Sequence, residues 1–136
     1  MLIERSDLDG RRLIQPGKPD VWLMFHGRRH RVVSPAVYDA LWSEVEGLTP
    51  SDAVPDIAMG PELNEGTCLI RAEGALPIHL LTGFPAVRRL FVPTWESLLE
   101  FGFDEAKVRS VPSLVLEAIA SGPDLEGAED RRARGG

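Results

Sequence analysis

Glu62-Leu63-Asn64-Glu65-Gly66-Thr67-Cys68-Leu69-Ile70-Arg71 restates, with one residue added, the earlier Asp7-Leu8-Asp9-Gly10-Arg11-Arg12-Leu13-Ile14-Gln15. Working outward, Val21-Trp22-Leu23-Met24 aligns with Ile78-His79-Leu80-Leu81, and Gly27 aligns with Gly83. Arg31-Val32-Val33-Ser34-Pro35 aligns with Arg89-Leu90-Phe91-Val92-Pro93, Leu41 with Leu99, and Val54-Pro55 with Val111-Pro112. A third start, Asp124-Leu125-Glu126-Gly127, follows Gly122-Pro123 as the second start follows Gly60-Pro61, and then breaks off. Ordered self-similarity of this kind marks a structural unit that has been copied. The expected organisation is one domain over residues 1–125, built of repeat 1 (7–61) and repeat 2 (62–125), with residues 126–136 as a disordered tail.

Each unit reads as strands followed by a helix. The expected strands are Arg12 to Gln15, Val21 to Phe25 and Arg31 to Val33, matched by Cys68 to Arg71, Ile78 to Thr82 and Arg89 to Val92. Pro16-Gly17-Lys18-Pro19 and Glu73-Gly74 punctuate them, as turn-forming residues do. Ser34-Pro35 is a helix start, since serine offers an N-cap oxygen and proline fits the first helical position. Val37, Tyr38, Leu41, Trp42 and Val45 then recur at helical spacing. In the second unit Pro93 holds the matching start, Trp95, Leu98 and Leu99 form the apolar face, and Gly102 is the expected C-cap. A shorter helical element, from Pro55 and from Pro112, closes each unit. Val21 to Phe25 is apolar throughout, which is typical of a strand covered on both faces. The expected fold is α+β: two homologous repeats, each a three-stranded antiparallel meander, a helix and a shorter helical element, packed with pseudo-twofold symmetry.

The pattern Gly-x-x-Leu-Ile, apolar strand, glycine turn, basic strand and proline-started helix resembles short tandem repeats of bacterial proteins, many of them secreted or surface-associated. The resemblance covers residues 7–125. It implies an α+β module used for attachment or recognition, with no established chemistry.

The chain has 136 residues, 43% hydrophobic and 26% charged, which is ordinary globular usage. Its single cysteine excludes an internal disulfide framework. A net charge of −6 disfavours nucleic acid and anionic membrane as partners. No apolar run approaches the roughly 18 residues that span a bilayer. The opening MLIERSDLDG is charged almost at once, so a secretory leader is not expected. A cytoplasmic location is expected, with the cell surface by another route as the alternative.

Hydrolase and nucleotide signatures such as Gly-x-Ser-x-Gly and Gly-x-x-x-x-Gly-Lys-Ser/Thr are absent from the sequence. His26 and His30 have a spacing that binds zinc on a helix, but Gly27 and a strand setting break it, and no metal or other cofactor is expected. Cys68 and His79 on neighbouring strands could form a thiolate–imidazole pair; the repeat demands neither. The concentrated positive charge is Arg28, Arg29 and Arg31, echoed by Arg88 and Arg89. Arginine forks suit carboxylates and phosphates, and basic side chains also protect exposed strand edges. Edge protection is the first reading and an anion or partner patch the second. Trp22, Trp42 and Trp95 fall in apolar patterns and read as packing residues. The sequence expectation is a non-enzymatic interaction or structural module that docks on a protein partner or self-associates. The alternatives are a small ligand-binding protein or enzyme with a site between the repeats, and a modifier conjugated through Gly135-Gly136.

Overall fold

The computed structural model describes residues 1–83 and 86–135. Strands β1 (Arg12–Ile14), β2 (Val21–Phe25) and β3 (Arg28–Arg31) form an antiparallel meander. Helix α1 (Pro35–Leu41) follows, and β4 (Leu48–Pro50) returns to lie parallel beside β1. The second half runs β5 (Cys68–Ala72), β6 (His79–Gly83), β7 (Val87–Phe91), α2 (Trp95–Phe101), β8 (Arg109–Val111) and α3 (Ser113–Ala118). Its sheet order, β7-β6-β5-β8, has the same connectivity as β3-β2-β1-β4, again with a parallel last pair. Helix α4 (Ala128–Gly135) closes the chain. Among the described residues the fold is α+β, with two four-stranded sheets and four α-helices.

Several expectations are corrected. The three-stranded meanders each gain a fourth strand. β4 and β8 are three residues long and carry too short a pattern to read. The third strands begin earlier than expected, so that Arg28 and Arg29 lie inside β3. Gly83 lies within β6, paired with Val87, rather than marking a turn. The turn before β3 has two residues, His26 (φ 53°) and Gly27 (φ 77°). Positive φ at both positions matches the strand twist of a tight hairpin, and Phe25 pairs with Arg28 across it. Val45 stands outside α1 and is exposed, as are Trp95 and Leu99; α2 buries Ser97, Leu98 and Phe101 instead. The helix starts are capped as serine and threonine allow: Ser34 Oγ accepts from Val37 N at 3.3 Å, and Thr94 Oγ1 from Ser97 N at 3.0 Å. Gly102 ends α2 in the left-handed region (φ 73°).

The strand β2 is covered on both faces. Leu23 and Phe25 enter the central core, while Trp22 and Met24 join Leu13, Val54 and Ile57 on the outer face. In the second half Leu69 and Leu80 enter the same central core, and Ile70 packs outward with Ala72 and Leu116 of α3. The central core therefore draws on both halves, including Val37, Leu41 and Trp42 from the first and Leu98, Phe101 and Phe103 from the second.

Equivalent contacts fix the register between the halves. Arg29 Nε donates to the Ile57 carbonyl at 2.9 Å, and Arg89 Nε to the Ile119 carbonyl at 2.9 Å. Gly60 N donates to the Arg29 carbonyl, and Gly122 N to the Arg89 carbonyl. Leu63 N reaches the Arg31 carbonyl, and Leu125 N the Phe91 carbonyl. Arg89 thus answers Arg29 and not Arg31, and Thr94 answers Ser34.

The expected disordered tail is a docked helix. Asp130 is buried and accepts from Thr94 Oγ1 (2.7 Å), Ser97 Oγ (2.8 Å) and Arg134 Nε (3.1 Å). Those three donors supply, through polar contacts, the anchoring that the tail's composition lacks in apolar residues.

Candidate functional site

The five arginines expected to form a patch divide into three settings. Arg28 pairs with Glu4 at 3.0 Å, and Arg31 with Glu62 at 3.1 Å and Asp20 at 3.8 Å. Exposed pairs of this kind contribute about 0–1 kcal/mol each, so they neutralise charge more than they stabilise. Arg29 and Arg89 face the outer side of their sheets, where each pins a following backbone carbonyl. Arg29 also lies over the Trp22 ring at 4.2 Å, and burial pushes its pKa down. Arg88 pairs with Thr82 on the inner face, beside Leu90. Among the described residues its Nη1 donates to the carbonyl of its own neighbour Val87, at 2.9 Å. No carboxylate lies within ion-pair distance of Arg88 among the described residues.

Arg88 lines a cavity of about 190 Å³ where the two halves meet. Phe25, His30, Pro61 and Leu63 come to it from the first half, and Thr82, Leu90, Gly122 and Pro123 from the second. Two close approaches border it. His30 presses on Gly60, where an added Cβ would fall 2.3 Å from the ring; Leu90 presses on Gly122, where it would fall 2.5 Å from Cδ2. Glycine at both positions is thus a requirement of close approach. The repeated Gly-Pro, at 60–61 and 122–123, is the sequence signal for these two close approaches.

Two imidazoles border the cavity. His26 Nε2 lies 2.9 Å from the Asp124 carbonyl. His30 is buried and stacked on Phe25 with ring centroids 3.6 Å apart. Its Nδ1 is 2.8 Å from the Pro61 carbonyl and its Nε2 is 3.1 Å from the Phe25 carbonyl. Burial pushes its pKa down to about 4. Both His30 nitrogens therefore face backbone carbonyls.

Cys68 and His79 share the outer face of their sheet, Cys68 opposite Leu81 and His79 opposite Ile70. No hydrogen bond joins them. Burial pushes the Cys68 thiol up, and burial together with the nearby Arg89 charge pushes His79 down. Both shifts oppose a thiolate–imidazolium pair. His79 Nδ1 is buried without a hydrogen-bond partner among the described residues.

Gly135 lies in α4, and Gly136 of the expected conjugation end falls outside the described residues. No helix among the described residues is long and apolar enough to cross a membrane. The chain matches no protein-family model, no curated protein and no solved structure.

Proposed function

We propose that the protein is a non-catalytic binding module made by duplication of one β-β-β-α-β unit, with its ligand site in the seam between the copies. The recurring arginine–carbonyl bonds and the shared sheet connectivity support the duplication. A pseudo-twofold arrangement of the copies is consistent with His30 and Leu90, and Pro61 and Pro123, bordering one cavity. The likeness of the sequence pattern to bacterial tandem repeats used in recognition points the same way.

Arg88 carries the reading. It is a guanidinium without a carboxylate partner among the described residues, and it lines a mostly apolar cavity whose one lining carboxylate, Glu62, is paired with Arg31. Sites of this make-up take an apolar body oriented by one charged contact. The ligand class is an apolar group flanked by a carboxylate, either a free organic acid or the C-terminus of a partner protein. Titration with 3-phenylpropionate, followed by NMR, is expected to move the Leu63 and Leu90 methyls and the His26 ring. Arg88→Gln should weaken binding by about tenfold, the scale of one charge-assisted contact. Unmoved methyls, or equal binding by Arg88→Gln, would refute the site. A peptide ending in free phenylalanine that binds more tightly than 3-phenylpropionate, and fails when amidated, would assign the partner-protein source.

A further inference from the structure

Arg12 is the one lysine or arginine that is buried among the described residues, with 7% of its surface exposed. An interior guanidinium normally has a carboxylate beside it, because an unpaired charge is expensive to desolvate. Arg12 has none within ion-pair distance among the described residues. It is held by neutral groups. Nη1 donates to Tyr38 Oη at 2.6 Å and to the Glu44 carbonyl at 3.1 Å, and the cation lies 5.2 Å from the Trp42 ring and 5.9 Å from that of Tyr38. These contacts lock the side chain and leave its other edge, Nε and Nη2, without an acceptor among the described residues. Gly47 and Gly102 lie close against Nη2 at that edge. A Cβ at Gly47 would fall 1.8 Å from Nη2, and one at Gly102 would fall 3.1 Å away.

Arg12 borders a cavity of about 350 Å³ that is separate from the seam pocket. Arg11, Thr49, Glu100 and Glu129 also line it. Glu100 accepts from the backbone N–H groups of Glu129 (2.9 Å) and Asp130 (3.0 Å), which fixes its carboxylate while leaving further lone pairs. The cavity thus has a preorganised guanidinium fork and, among its other lining groups, two carboxylates. A simple anion would meet attraction from Arg11 and Arg12 and repulsion from the glutamates. A simple cation would meet the reverse.

We infer that the cavity beside Arg12 binds a small zwitterion, its carboxylate on the Nε–Nη2 edge and its ammonium toward Glu100 and Glu129. The ligand class is a free amino acid or another compact molecule carrying both charges. This inference is independent of the seam site.

Calorimetric titration of the full chain with glycine, acetate, ethylamine and phosphate tests it. Glycine is expected to bind saturably, and at least about tenfold more tightly than the other three probes. Glu129→Gln, an exposed substitution that leaves the hydrogen bond from the Glu129 amide intact, should remove most of the preference for glycine over acetate. Arg12→Lys should abolish glycine binding, because a point charge cannot reproduce the bidentate fork. Arg88→Gln should leave it unchanged. Absence of saturable glycine binding to the unmodified chain, acetate or phosphate binding as tightly as glycine, or an unaltered preference in Glu129→Gln would overturn the inference.

Discussion

His30 offers one ring to two carbonyls, those of Pro61 and Phe25. A neutral imidazole has a single N–H, so one of the two contacts lacks a proton. The hydrogen bonds favour the charged ring, but burial outweighs them and the nearby positive charges of His26 and Arg28 add to it, giving a pKa of about 4. The unfolded chain binds this proton near the ordinary value of 6.5. Between those two values the unfolded chain is the better proton acceptor. Stability is therefore complete above about pH 6.5 and declines as pH falls toward 4, by about 3 kcal/mol at most. Leu90 fills the corresponding place against Gly122, so His30→Leu should preserve the packing and remove this pH dependence. Urea midpoints at about pH 7.5 and 4.5 provide the check. An undiminished acid loss in the variant would mean that another group is responsible.

Helices α2 and α4 cap one another. The orphan N–H groups at the start of α4 are met by Glu100 of α2. Thr94, which caps α2, is in turn held by Asp130 of α4. The hydrogen bond from Thr94, supported by Ser97 and Arg134, holds the Asp130 carboxyl below the usual aspartate range. Its contribution to stability is present above that range and is lost as pH falls below it, through the lowered value of the folded carboxyl. Arg131 adds a second tie, to the buried Asp9 at 2.8 Å, and Asp9 also accepts from Gly27 N. Asp130→Ala should cost about 1–3 kcal/mol, the scale of leaving buried donors unpaired. Hydrogen exchange should then quicken in the amides of α4 before those of β6. Uniform loss of protection across both elements would argue against α4 docking as a separable unit.

At the scale of the molecule, the halves interlock. Trp42 Nε1 donates to the Phe101 carbonyl at 2.8 Å, Asp104 N to the Leu41 carbonyl at 2.9 Å, and Lys107 Nζ to the Trp42 carbonyl at 2.9 Å. The central core includes both sheets and both helices of the two units. Neither half can bury its inner face alone, so a single cooperative transition is expected. Urea unfolding followed by circular dichroism and by tryptophan fluorescence should coincide. Two separated midpoints would show that the halves are stable independently. Trp42→Phe keeps most of the buried ring and removes the cross-half hydrogen bond, and should lower stability by about 1–2 kcal/mol.

Short-range chemistry was legible in the sequence because it depends on neighbours along the chain. The apolar run Val21–Phe25, the cap at Ser34-Pro35 and the left-handed glycine after α2 all follow from local pattern and backbone preference. The recurring sequence pattern aligned Arg31 with Arg89, whereas the matching carbonyl contacts are made by Arg29 and Arg89, two residues away in a run of arginines. Hydrogen-bond partners decided that register, and those partners are distant in the chain. The three-residue strands β4 and β8 gain their pairing from β1 and β5 rather than from any periodicity of their own. The fate of each arginine was likewise set in three dimensions. Composition marked a basic cluster at 28–31 and 88–89, whereas folding neutralised two of its members, pinned two on backbone and left Arg88 at the seam. Arg12, which the linear pattern presents as one more strand residue, became a buried cation only because Tyr38, Trp42 and Gly47 close around it. Such enclosure depends on which distant groups fold against a side chain, and a linear pattern does not carry that information.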